Sequence, residues 1–242
     1  MTSIIFVTGH WHTSFHAQPL LKVLRDRDAT AQAVQLASVG RKEPRPEFKD
    51  DVSLIRDAVQ AELDNGKDVL LVLHSYAGMP GAEATNQLIA SGALDRVNGK
   101  GQLIRVLFIA AYVFPAGQVA DAKNFIGPHD PHFSIDFEKG INLFADPYAG
   151  FFNDMSKEEA QPFLDALDIT YYLGDGPLVT SETWRQVSST YVICEQDQAV
   201  PLARQEGLAA GMQRQVRINA AHSPYVSQPE KVAEILLEAA NS

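Results

Sequence analysis

The chain reads as an α/β protein: a doubly wound, mainly parallel sheet of about six strands with an inserted helical cap. Three observations predict this. Short apolar runs of strand length alternate with stretches of helical spacing along most of the 242 residues. One of those runs, Leu70–His74, passes straight into a serine and then into small residues that open a helix. One long segment, Pro115–Trp184, breaks the alternation. Strands that alternate with helices require crossover connections, which place the strands parallel and cover both faces of the sheet.

Taken in order, Ser3–Val7, Ala31–Leu36, Val69–His74, Leu103–Ala110, Thr190–Cys194 and Gln215–Ile218 read as the strands. Between the second and third, Val52, Ile55, Val59 and Leu63 recur on one helical face, with Asp50 or Asp51 placed to cap the helix and Gly66 to end it. The last helix is expected to start at Ser227-Gln-Pro-Glu230, read as a capping box, and to bury Val232, Ile235 and Leu236. From Pro115 to Trp184 there is no convincing strand, only Pro/Gly punctuation and scattered aromatics, Phe125, Phe133, Phe144, Phe151, Phe152 and Tyr171 among them. That is too long for an ordinary loop. The expected division is a core of residues 1–114 and 185–242 with a cap of 115–184, whose aromatics form its own small core and line an apolar pocket.

Composition excludes several classes of function. A formal charge of −10 argues against nucleic acid or an anionic membrane as partner. No apolar run approaches the ~20 residues of a membrane span, and Ile4–Val7 is too short for a signal-peptide core. The single cysteine, Cys194, rules out an internal disulfide framework; it fits a reducing, cytoplasmic setting and reads as a buried strand residue. The expected partner is a small-molecule substrate, and the oligomeric state is left open.

The chemistry is carried by order along the chain. Leu73-His-Ser-Tyr-Ala77 is a degenerate form of the G-x-S-x-G nucleophile elbow, with Leu73 and Ala77 in place of both glycines. A serine at that corner holds its hydroxyl above the sheet end. On such a sheet the partners follow in the order Ser, Asp or Glu, His. Of the seven histidines only His222 lies beyond Asp197, so Ser75, Asp197 and His222 form the candidate catalytic set. Glu195 competes with Asp197 but lies closer to the strand end, where it is expected to face solvent or the sheet edge. His74 reads as a packed, hydrogen-bonded strand residue. His129-Asp-Pro-His132 has too few donors for a convincing metal site, and no phosphate loop or nucleotide fingerprint is present, so no cofactor or metal is expected.

Together these segments resemble the α/β-hydrolase superfamily, in particular its small single-domain branch of plant methyl-ester esterases and hydroxynitrile lyases. Phe6-Val-Thr-Gly-His-Trp-His12 is similar to that branch's His-Gly-x-x-His-Gly oxyanion loop, with Thr8 and Thr13 as departures. Tyr191–Pro201 resembles its acid-bearing segment, Ala221-His-Ser-Pro its histidine segment, and Phe151-Phe-Asn-Asp the cap of microbial members. The resemblance implies an α/β-hydrolase fold that starts without the two leading strands of larger members. It implies a cofactor-independent serine hydrolase acting on an ester, thioester or lactone. The backbone amides of His10 and Tyr76 take the oxyanion positions, and Gly9, Trp11, Phe151, Phe152 and Tyr171 are candidate substrate contacts. Two rivals are a lyase or carbon–carbon-cleaving enzyme that reuses the same residues, and a small-molecule receptor with slow turnover. Hydroxynitrile lyases of the branch carry lysine directly after the histidine and threonine where this chain has Gly9. Here Ser223 follows His222, which disfavours cyanohydrin cleavage.

Overall fold

The computed structural model describes residues 2–95, 99–119, 132–174 and 178–241. Six strands form one sheet: β1 (Thr2–Val7), β2 (Thr30–Val34), β3 (Asp68–His74), β4 (Leu103–Ile109), β8 (Ser189–Cys194) and β9 (Arg214–Ile218). Their order is β2-β1-β3-β4-β8-β9, and every neighbouring pair runs parallel. The expected strands thus all form, each with ends within two residues of those read from the sequence.

Strand alternation divides the interior into two layers. Ile5, Val7, Leu71 and Leu73 point to one face, where they meet Val52, Ile55, Val59 and Leu63 of α2 (Phe48–Asp64) and Leu88 of α3 (Gly78–Ala90). Ile4, Phe6, Leu70 and Val72 point to the other, where they meet Leu20 and Leu24 of α1 (Gln18–Asp26), together with Tyr225, Val232 and Leu236 near the C-terminus. The near-continuous apolar strands of the sheet centre are what burial on both faces demands.

Two local readings change. The α2 helix starts at Phe48, with Asp50 Oδ2 accepting from the Glu47 amide at 2.7 Å. Asp51 is therefore no cap. It turns inward, fully buried, and accepts from the Ser38 amide at 2.9 Å. Ser227 does not open the last helix either. It closes a short helix, α7 (Pro224–Ser227), and its hydroxyl donates to Asp154, while α8 (Pro229–Asn241) begins after it.

The segment between β4 and β8 holds strands that were not expected. β5 (Phe133–Asp136), β6 (Ile141–Phe144) and β7 (Thr170–Tyr171) form a three-stranded antiparallel sheet beside helices α4 (Pro147–Phe151) and α5 (Lys157–Asp165). The insert is thus mixed rather than purely helical. Strands of four, four and two residues are too short to show period-two alternation against a background of scattered aromatics. Gly140, at φ 63°, makes the reversal between β5 and β6.

Candidate active site

Four loops meet at the carboxyl ends of the strands, the edge where open α/β sheets assemble ligand sites. Ser75 lies directly after β3, residues 8–13 after β1, Asp197 after β8 and His222 after β9.

Ser75 has φ 53°, a left-handed conformation that costs a non-glycine residue about 1–3 kcal/mol. The sharp corner is held by the Tyr112 amide, which donates to the Ser75 carbonyl at 3.0 Å. The sequence also accounts for the two missing glycines of the elbow. Leu73 fills the space that a side chain on Gly81 would need, and a side chain on Gly78 would run into the Tyr112 carbonyl. The small residues therefore sit further along the helix than the motif places them. Gly9 packs directly against the serine: a Cβ there would lie 2.7 Å from Ser75 Cβ. The rings of His10 and Tyr76 stack with centroids 3.6 Å apart. The two loops whose amides were expected to act together are thus in contact.

Asp197 and His222 are hydrogen bonded, Nδ1 to Oδ2 at 2.7 Å, with both side chains buried. The other carboxylate oxygen accepts from the amides of Ala199 (2.7 Å) and Val200 (2.8 Å). Gln205 of α6 (Leu202–Ala209), which sequence reasoning did not single out, completes the shell. Its amide nitrogen reaches Asp197 Oδ2 at 3.2 Å and the carbonyls of Cys194 and Val200, while its oxygen accepts from the Cys194 amide. A polar residue on a helix gives no sequence signal of this kind, because the partner loop lies eight residues upstream. Glu195 faces outward and approaches Arg217 at 3.6 Å. With Asp197 on Nδ1, His222 has Nε2 left for proton transfer.

Around these residues sits a shell of buried imidazoles. His74 Nε2 donates to the His222 carbonyl at 2.9 Å, and its Nδ1 takes the Tyr225 hydroxyl at 3.2 Å, so it holds the backbone of the His222 loop. His12 Nδ1 bonds the His10 carbonyl at 2.7 Å, and its Nε2 meets Ser223 Oγ at 3.0 Å. Burial holds His10 down to about 3 and keeps His74 well below the usual imidazole range, helped there by the nearby His222 charge. His12 is also held well down, by burial first and then by the charges of His16 and His74.

These rings tie stability to pH. An unfolded imidazole titrates near 6.5, so below that pH the unfolded chain binds protons that His10, His12 and His74 refuse. Their contribution is present above 6.5 and is lost as pH falls, about 1.4 kcal/mol per ring per pH unit. Asp51 acts in the opposite sense. Burial raises its carboxyl to about 6, so the penalty it imposes above 6 is relieved as pH falls toward its unfolded value of 3.8. His16, also lowered by burial, acts in the same sense as the other three rings, so the imidazoles outweigh the single raised carboxyl and stability falls with pH below 6. The urea midpoint is expected to fall sharply between pH 7 and pH 5, and a midpoint that holds or rises would contradict this account.

The candidate substrate contacts separate in space. Phe151 packs against His12 (5.0 Å between centroids), Trp11 (5.6 Å) and His222 (5.7 Å), so it stands at the site. Phe152 is fully buried where the insert packs on the sheet domain, stacked on His16 at 6.2 Å and 5.9 Å from the His12 ring. The Tyr171 hydroxyl is tied to the backbone of Lys42, and Arg45 lies over its ring. Tyr171 lines a separate surface cavity of about 440 Å³ together with Arg41, Lys42, Arg45 and Lys139. Cys194 is buried in β8. Among the described residues no cluster of three or more His, Cys, Asp or Glu could hold a metal, and no helix is long and apolar enough to cross a membrane. Phe125 and His129 lie outside the described residues.

Known proteins share both the sequence and the fold. A family model described as "Alpha/beta hydrolase family" matches residues 4–235. The chain is 31% identical to an α/β hydrolase, nvfD, of Aspergillus novofumigatus, over 98% of this chain and 96% of that one. Among solved structures it is similar to a pyrethroid hydrolase from Sphingobium faniae, with a TM-score of 0.79 at 17% identity, covering 100% of this chain and 98% of that one. It is likewise similar to polyneuridine aldehyde esterase, with a TM-score of 0.74 at 18% identity over 98% of both chains. A sheet of six parallel strands with the elbow at its carboxyl edge, and a family match over nearly the full length, lead to one assignment: the chain belongs to the α/β-hydrolase family.

Proposed function

We propose that this protein is a serine hydrolase that cleaves a carboxylic ester, thioester or lactone of a small apolar substrate through an acyl-serine intermediate. The observation that carries the proposal is the buried 2.7 Å bond between Asp197 and His222, in the same loop cluster as a strained Ser75 packed on Gly9. In this reading Ser75 Oγ attacks the carbonyl carbon while His222 Nε2 takes its proton. Asp197 keeps the ring in the tautomer with Nδ1 protonated and stabilises the imidazolium. The amides of His10 and Tyr76 receive the negative charge on the carbonyl oxygen. Collapse expels the alcohol or thiol, which regains the proton from His222. A water molecule, deprotonated by the same ring, then releases the acid and frees Ser75.

Phe151 beside His222, with Trp11 next to it, supplies an apolar wall suited to an organic acyl or alcohol group. The lyase reading has less support. The hydroxyl of Ser223, directly after the base, is engaged with His12, so no cation stands at that position. The proposal needs no metal or cofactor, since the chain supplies nucleophile, base and oxyanion donors. The lone buried cysteine favours a reducing compartment such as the cytoplasm.

Turnover separates enzyme from receptor. The protein is expected to hydrolyse p-nitrophenyl esters of short acids over many cycles, at a rate unchanged by exhaustive chelation. Binding without turnover would favour the receptor, and activity lost to chelator and restored by a divalent ion would favour a metal-dependent route.

A further inference from the structure

We propose that the inserted segment is part of the catalytic apparatus: Thr170 of β7, acting with His12, clamps the peptide between His10 and Trp11 and so aims the neighbouring His10 amide. The proposal rests on the oxyanion role given to that amide above. It assigns the insert a task beyond covering the site and choosing substrates.

Trp11 has φ 61°, an unfavourable conformation for a bulky residue, so the loop needs contacts to hold it there. All three of its polar groups bond to the insert. Its amide donates to Thr170 Oγ1 at 2.7 Å, its indole Nε1 donates to the Asn142 carbonyl at 3.3 Å, and its carbonyl accepts from the Asp168 amide at 2.9 Å. The Trp11 amide and the His10 carbonyl belong to one peptide group. Thr170 holds its nitrogen end and His12 Nδ1, at 2.7 Å, holds its oxygen end. A plane gripped at both ends cannot rotate without breaking a short buried hydrogen bond. The next peptide plane, joined to it only through the Cα of His10, carries the amide proposed as an oxyanion donor. The Trp11 amide is occupied by Thr170 and so does not compete with the His10 amide for that role.

Thr170 is itself fixed. It is fully buried, pairs with Asn142 in the small sheet and bridges to Val39 of the core. The adjacent Tyr171 and Gly40 amides bond across the same seam, to the carbonyls of Ser38 (3.0 Å) and Ile169 (2.9 Å). The clamp is therefore anchored on the sheet domain rather than on a free-standing flap. Parallel links run to the other two loops: Asp154 accepts from the Ala221 amide at 3.0 Å beside His222, and Asn153 donates to the Gln196 carbonyl at 3.0 Å beside Asp197. Preorganised donors are effective only when they need not reorient as charge develops, which is what such ties secure.

The test compares Thr170→Val, which keeps the shape and removes the acceptor, with Thr170→Ser, which keeps it. Thr170→Val is expected to lower kcat on a p-nitrophenyl ester about 10- to 100-fold with KM within about twofold, less than outright loss of an oxyanion donor. It should weaken binding of a trifluoromethyl ketone, which forms the tetrahedral adduct, by the same factor. Hydrogen exchange at the Trp11 amide should quicken. Thr170→Ser should restore most of kcat, as a merely packed side chain would not. Wild-type kcat in Thr170→Val, or equal damage in both variants, overturns the clamp. If Thr170→Val fails to fold, Thr170→Ala takes its place: it differs from Thr170→Ser by the hydroxyl alone, so kcat should be several-fold lower in the alanine variant than in the serine variant, and equal kcat in the two overturns the proposal. A wild-type protein that neither turns over esters nor accepts a label on Ser75 refutes the hydrolase reading itself, a result visible before any variant is made.

Discussion

Asp197→Asn is expected to lower ester turnover by up to ~10⁴-fold, about 5.5 kcal/mol of transition-state stabilisation, while Glu195→Gln stays within about twofold of wild type. The difference follows from what each carboxylate touches. Asp197 Oδ2 is bonded to His222 Nδ1, and its partner oxygen is locked by two backbone amides, so the carboxylate cannot turn away. An amide at that position presents either a neutral oxygen or an NH₂ group to the ring. In the second case Nδ1 must accept, the proton moves to Nε2, and the ring can no longer take the serine's proton. In the first, the imidazolium loses its counter-charge. Glu195 has only a loose, solvent-exposed pairing with Arg217, worth less than about 1 kcal/mol. Steady-state kinetics on folded variants, with urea midpoints as control, decide it. A dead Glu195→Gln beside a near-normal Asp197→Asn would mean that the acid has been placed on the wrong residue.

Much of this was legible in the sequence because each central strand is buried on both faces and so reads as a continuous apolar run. Phe6, Val72 and Val192 needed only their neighbours to identify them. The candidate triad was legible for a different reason: its members follow strands and keep a fixed order, so position along the chain substituted for contact. What could not be read depends on side-chain direction or on long-range pairing. Tyr171 and Phe152 are aromatics in the expected segment, yet one turns toward Arg45 and the other toward His16. Asp51 and Ser227 carry helix-start residue types but bond across the fold, to Ser38 and Asp154. Gln205 and Thr170 matter through partners eight and 159 residues away in sequence. The exchange between Leu73 and Gly81 shows the same limit. A motif counts glycines at set positions, whereas packing asks only that one of two facing residues be small.

The second large effect concerns Ser75 itself. Among the described serines it alone combines the left-handed corner with the close approach of Gly9, in the loop cluster that also holds the Asp197–His222 pair. Its substitution by alanine should remove turnover down to the residual level that binding and oxyanion donors alone support. It should do so without unfolding the chain, since the side chain is a terminus of the packing and Tyr112 bonds the backbone. In the proposed mechanism, activation by His222 would also let its oxygen attack phosphorus quickly at neutral pH.

The most direct measurement is therefore incubation of the folded protein with a fluorophosphonate probe, followed by peptide mass mapping. The account predicts one adduct per chain, on Ser75, absent from Ser75→Ala and greatly slowed in Asp197→Asn. Folded, ester-hydrolysing protein that leaves Ser75 unlabelled, or that carries the adduct on another residue, would contradict it.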